Sequence, residues 1–269
     1  MRRGFTLVEV ALFLAVTGAL FAGILVGTQN SIWQQRYNDA VQNYVDFLKN
    51  VYAEVSNPQS IGDGRSDQAI YGKLITFGQT VGVNGETLET GTQKFYVYDV
   101  VGDATNAGTG TVQAMLADLN ANVVVDLKND SGSVTGVSPA GIIDTYTPIW
   151  GASIEETAQN DDNLFKGSIL IVRHPRSGTM STLVSPDVIE VNKEIRDVNM
   201  DGDYARINNL LTNELSKFGT AEVDFCLNPY GYGERADMRR DIRLLSNARN
   251  ASGIELVSLD SDDYKCSNN

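Results

Sequence analysis

Apolar and polar residues along the chain fall into two successive helical patterns and then a long series of short extended runs. From Phe5 to about Thr28 the residues are apolar or small, with Glu9 as the only charge. Roughly twenty residues at 1.5 Å each are enough to cross the hydrocarbon core of a bilayer. Beyond Asn30 the apolar residues narrow to one face. Trp33, Tyr37, Ala40, Val41, Tyr44, Leu48, Val51, Tyr52 and Val55 recur at three- and four-residue steps, while Gln34, Gln35, Asn38, Asp39, Gln42, Asp46 and Lys49 fill the other side. The spacing predicts one helix, about 75 Å long from Phe5 to Val55. Ser56-Asn57-Pro58 stops it, because a residue before proline is pushed out of the α region. No proline occurs earlier; Gly18, Gly23 and Gly27 are the soft points, each costing about 1 kcal/mol relative to alanine.

After Pro58 the pattern becomes β-branched and aromatic runs bounded by Gly, Asn and Asp. Residues 69–77, 94–101, 121–127 and 141–150 read as strands. Residues 168–172 and 179–184 flank His174-Pro175-Arg176-Ser177-Gly178, a hairpin with its turn. Residues 205–218 read as a helix, and 221–227, 238–245 and 254–259 as the closing strands. The glycine-rich stretches 62–64, 82–91, 102–110 and 129–136 read as surface loops. The predicted fold class is α+β: a long N-terminal helix, half membrane-type and half amphipathic, packed on a mainly antiparallel β-sheet head.

Glu9 decides what the first run is for. An acidic residue at the centre of a membrane helix costs about 2.5–3.5 kcal/mol on insertion scales, less near the interface. A secretory signal has an apolar stretch of only about 7–15 residues and then a small-residue cleavage site; this run is longer and lacks that site. The segment Gly4-Phe5-Thr6-Leu7-Val8-Glu9, after Met1-Arg2-Arg3, resembles the processing site of the type IV pilin and type II secretion pseudopilin family. The resemblance divides the chain into a prepilin leader (1–4), a transmembrane and filament-core helix (5–28), its amphipathic continuation (29–56) and an extracellular β-rich head (57–269). It implies that a prepilin peptidase cuts between Gly4 and Phe5 and methylates the Phe5 amine, which keeps its charge.

Glu9 would then pair with the Phe5 ammonium of a neighbouring subunit, fixing axial register because either charge left alone in a filament core is costly. The helix macrodipole also favours a carboxylate in the first turns. Further partners implied are other pilins or pseudopilins, an inner-membrane assembly platform, and membrane lipid before assembly. The implied location is a single-pass membrane protein with its head outside the cytoplasm, then a cell-surface or periplasmic filament. Arg2 and Arg3 agree with that orientation. Where many family members carry a proline, this chain has Val26. The head's layout resembles minor pseudopilins of the GspH/FimT kind, through Gly72-Lys73-Leu74-Ile75-Thr76-Phe77 and the late strands around Arg249. The plain alternative is an ordinary anchor with a chance glutamate.

Charge narrows the partners. Loss of Met1–Gly4 removes two arginines and takes the formal charge from −13 to −15. So acidic a body repels nucleic acid and anionic lipid, although a small local basic patch is compatible with it. Two cysteines, Cys226 and Cys266, suit one disulfide worth about 2–4 kcal/mol in an exported head; two buried thiols are the alternative. Asp197, Asn199, Asp201 and Asp203 alternate as oxygen ligands around Gly202, a pattern that suits calcium. The twelfth position is Asn208 in place of the bidentate glutamate of an EF-hand, so binding would fall in the weak class of about 10⁻⁴–10⁻³ M. An Asx-rich turn is the competing reading. Tyr230 and Tyr232 mark a further surface loop. His174 is the only histidine, and no phosphate-loop or zinc motif occurs. The expectation is a structural subunit, not an enzyme; a pilin-anchored adhesin and an anchored hydrolase built around His174 are the rivals.

Overall fold

One helix, α1 (Leu7–Ser56), carries both N-terminal patterns without a break. The computed structural model describes residues 7–57, 68–78, 94–103, 114, 116, 122–126, 144–155, 167–191, 204–207, 210–220, 222–228, 239–245, 248–257 and 266. In the second half of α1, Ala40, Val41, Tyr44, Val45, Leu48, Val51, Tyr52 and Val55 are buried, and every residue assigned to the wet face from sequence is exposed. The helix ends at Ser56, where the Arg173 guanidinium donates to the last carbonyl at 2.8 Å. A cation there satisfies one of the orphan acceptors and complements the negative end of the dipole.

Eleven strands follow among the described residues, and every pairing between them is antiparallel. They are β1 (Gln68–Phe77), β2 (Phe95–Asp103), β3 (Asn122–Asp126), β4 (Asp144–Tyr146), β5 (Ser153–Glu155), β6 (Gly167–Arg173), β7 (Met180–Ser185), β8 (Tyr204–Ile207), β9 (Val223–Asn228), β10 (Arg240–Leu244) and β11 (Ile254–Val257). The large sheet runs β7-β6-β1-β2-β3-β8, with β4 on the same edge of β2 as β3, alongside Phe95–Val97. The small sheet runs β11-β10-β9-β5. The α+β class and the antiparallel head expected from sequence are therefore observed.

Both sheets close on the amphipathic half of α1. Ile75, Phe77, Phe95, Val97, Ile169 and Ile171 from the large sheet join Ile154, Phe225, Leu227, Ile242 and Leu244 from the small sheet and the helix stripe in one core. The alternate residues of the large sheet, such as Leu74, Tyr98 and Leu170, are buried as well. Their face is covered in part by the segment after β7: Ile189 donates its amide to Ser168 Oγ at 2.9 Å. A short helix, α2 (Leu210–Glu214), packs on β3. Gly72 sits at a register shift where β1 meets both neighbours; a Cβ there would lie 2.5 Å from the Ile171 carbonyl, so no larger residue fits without moving backbone.

Two assignments change. Of residues 205–218, read as one helix, 205–207 lie in β8 and Leu210–Glu214 are helical, because β3 offers an open edge that the extended chain fills. Of the strand expected at 141–150, residues 141–143 lie outside the described residues, 144–146 form β4, and the end turns through a 3₁₀ turn at Ile149–Gly151. The loops expected at 62–64, 82–91 and 129–136 lie outside the described residues, and Gly102 is a β2 residue.

Polar groups tie the helix to the sheets. Lys73 Nζ bridges Glu54 Oε2 of α1 and Asp99 Oδ1 of β2, both at 2.8 Å; Lys73 and Asp99 are buried and Glu54 is exposed on the helix surface. Tyr52 donates to Thr182 Oγ1 at 2.6 Å, and Thr182 donates onward to the Ala248 carbonyl at 2.8 Å. Burial pushes the Tyr52 phenol up to about 12, against a smaller lowering by Thr182. For Lys73, burial opposes the charge, but hydrogen bonds and charge attraction from Asp99 and then Glu54 outweigh it, so its pKa rises above the ordinary 10.5. Both shifts act in the same direction. The fold keeps its proton on Lys73 and Tyr52 to higher pH than the unfolded chain does, so this stability is fully present below about pH 10 and is lost as pH climbs through the raised values. Urea unfolding of the chain in detergent, followed by far-UV circular dichroism, should give a midpoint independent of pH between 7 and about 9.5 that falls between about 10 and 12. A midpoint that holds to pH 12 contradicts the coupling.

Candidate functional site

Among the described residues the first half of α1 is not buried against the head. Leu7, Phe13, Leu20, Phe21 and Leu25 are each more than half exposed, and the most apolar stretch of the helix has none of its surface buried. The helix is long and apolar enough to cross a membrane. Each such side chain left in water forfeits about 1.5–3 kcal/mol, which over the whole segment amounts to tens of kcal/mol. A surface of this kind is covered by lipid or by protein.

Three of its hydroxyl side chains bond back to the helix backbone. Thr17 Oγ1 donates to the Phe13 carbonyl at 2.8 Å, Thr28 Oγ1 to Leu25 at 3.0 Å and Ser31 Oγ to Gly27 at 3.3 Å. These return bonds remove the hydroxyl donors that hydrocarbon would otherwise leave unpaired. Ala11, Ala15, Ala19, Gly23, Gly27 and Ser31 recur at every fourth position, and a Cβ at Gly23 or Gly27 would meet open space. A seam of small residues lets a second backbone approach closely where water supplies no driving force. The uniform apolar length of the run masks this four-residue period in the sequence.

Where the bare half meets the head, Arg36 lies between two indoles. Its guanidinium carbon is 4.8 Å from the Trp150 ring centre and 5.6 Å from that of Trp33. Trp33, placed on the buried stripe from sequence, is exposed, and the first half-buried residue of that stripe is Tyr37, whose hydroxyl donates to the Leu227 carbonyl at 2.5 Å. The chain matches no protein-family model, no curated protein and no solved structure.

The residues singled out from sequence are placed as follows. Glu9 lies in the first turn of α1. Gly4 and Phe5 lie outside the described residues, as do Tyr230, Tyr232 and the calcium set Asp197, Asn199, Asp201, Asp203 and Asn208. Cys226 and Cys266 are joined in a disulfide with their Cα atoms 5.4 Å apart. Cys226 alternates with Phe225 and Leu227 on β9, so the bridge fastens the C-terminal segment to the face of the small sheet that points away from α1. On that face Arg243 binds Asp224 at 2.7 Å and Glu222 at 3.1 Å. His174 is a turn residue: its Nδ1 accepts the amides of Arg176 and Ser177, both at 3.2 Å, and its own amide donates to the Thr179 carbonyl at 2.8 Å. That turn closes the β6–β7 hairpin with Gly178 at φ 69°, as the sequence indicated.

Proposed function

We propose that the chain is a structural subunit of a type IV pilus or a type II secretion-like filament, a minor pilin or pseudopilin, and not an enzyme. The observation that carries this reading is one unbroken helix, bare and apolar for its first half and locked into the head for its second. An anchor alone needs no rigid continuation into the head. A subunit that must leave lipid and enter a helical bundle needs its apolar half presented at a fixed angle, with its hydroxyls turned back onto the helix. The small-residue seam supplies close helix contact, and Glu9 supplies register against the Phe5 ammonium of a neighbour. Because lipid and filament core are both apolar, the half-helix passes between them without facing water.

In this reading a prepilin peptidase removes Met1–Gly4 and methylates Phe5 before assembly. Mass spectrometry of the protein purified from its own membranes tests it. The expected N-terminus is methylated Phe5; an intact Met1 in the mature protein removes the assignment. The bonding of His174 Nδ1 to two turn amides supports the non-enzymatic reading, since that nitrogen is engaged in holding a hairpin.

A further inference from the structure

Arg36 is the first charged residue after Glu9. The 27 helical steps between residues 9 and 36 rise about 40 Å at 1.5 Å each. A bilayer with both headgroup layers is about 40–45 Å thick. With Glu9 at the boundary where the helix enters, Arg36 arrives at the headgroups of the opposite leaflet, and Trp33 lies about 4.5 Å deeper. Indoles favour that layer, where an apolar ring and a polar N–H can both be satisfied.

Trp150 reaches the same height from a point 114 residues away in sequence (150 against 36). It is 53% exposed, and its backbone is left-handed at φ 59°, ψ 22°. Such a conformation costs a bulky residue about 1–3 kcal/mol, which glycine would avoid. The strain is set against the contact with Arg36. Among the described residues Arg36 pairs with no carboxylate; its only contacts of this kind are the two rings. Its charge is therefore available to an anion, and a guanidinium binds phosphate oxygens in pairs.

We propose that Trp33, Arg36 and Trp150 form a docking site for phospholipid headgroups, which seats the head on the membrane surface before assembly. The phosphate meets Arg36 while the indoles lie in the interfacial layer on either side. The head is otherwise strongly acidic, so anionic lipid is drawn to this one level and repelled above it. The proposal rests on the first half of α1 spanning the bilayer, which the filament reading also uses.

Trp33 and Trp150 are the only tryptophans, so intrinsic fluorescence reads the site directly. The full chain is reconstituted into phosphatidylcholine–phosphatidylglycerol vesicles carrying nitroxide either on the headgroup or deep in the acyl chain. In Trp33→Phe, the remaining Trp150 emission should be quenched at least about twofold more by the headgroup label than by the deep label, and Arg36→Gln should lower that quenching. A Phe21→Trp change in a Trp33→Phe/Trp150→Phe background reports the span itself. Deep quenching of that indole without headgroup quenching of Trp150 overturns the docking site and leaves the span standing. No deep quenching of it overturns both. A Trp150 accessible to iodide in water, or shielded from iodide yet untouched by the headgroup label because a second copy covers it, also overturns the proposal.

Discussion

Replacing Tyr44 with alanine is expected to remove about 3–5 kcal/mol of stability, a large share of the roughly 5–15 kcal/mol that holds a domain together. Tyr44 is wholly buried, and its ring couples the helix to both sheets. It lies 6.2 Å from Phe95 in β2 of the large sheet and 5.7 Å, edge-on, from Phe225 in β9 of the small one. Tyr146, 5.8 Å away, stacks in turn on Phe47 at 4.3 Å. Truncation opens a cavity where three elements meet, and none of them can collapse into it without parting from the others. The measurement is the urea midpoint of the full chain in detergent. Tyr44→Phe is the control. The phenol oxygen has no hydrogen-bond partner among the described residues, and burial, then the nearby Tyr146, drives its pKa well above the ordinary 10.0. Deleting a buried, unpaired hydroxyl while keeping the ring should be neutral or stabilising by up to about 1 kcal/mol. Similar losses for the two substitutions would mean that the hydroxyl, not the ring, holds the core.

On the filament reading, Glu9→Gln should cut incorporation into filaments while leaving membrane insertion intact or improved. Removing one member of a buried ion pair costs about 3–5 kcal/mol because the other charge is stranded. At about 1.4 kcal/mol per tenfold, this corresponds to a loss of roughly 10²-fold to several thousand-fold in the assembled fraction. The amide is less costly in lipid than the carboxylate, so the membrane pool should rise as the filament pool falls. Immunoblots of sheared filaments against membranes separate the two. Equal incorporation of the variant would leave a tethered outer-surface domain and no assembly role for Glu9.

The helix was legible in the sequence because its signal is local. The period of 3.6 in residues 37–55 and the stop at Pro58 need no knowledge of the rest of the chain, and each assigned face has the burial expected of it. Most strands were legible for the same reason. Strand pairing was not, because Ile154 on β5 meets Leu227 on β9 across a long stretch of chain, and three residues carry too little period to announce a strand. The strand β8 was hidden by the leucines that follow it, which made one helix the simpler pattern. The disulfide was the simpler of two readings of two cysteines in an exported head, the other being two buried thiols; their distance was not legible. The cluster at Arg36 was not legible either, since nothing local to Trp150 links it to the helix; only the fold brings the two together.

The unbroken run of α1 from the bare half into the core has a mechanical consequence. A pull along the helix axis reaches the head as shear across the whole packed face, from Tyr37 to the Arg173 clamp on Ser56. Sliding by even one turn would have to break the Tyr52 and Lys73 tethers together. The load is thus shared by many contacts at once, and the head resists being drawn off its own stem.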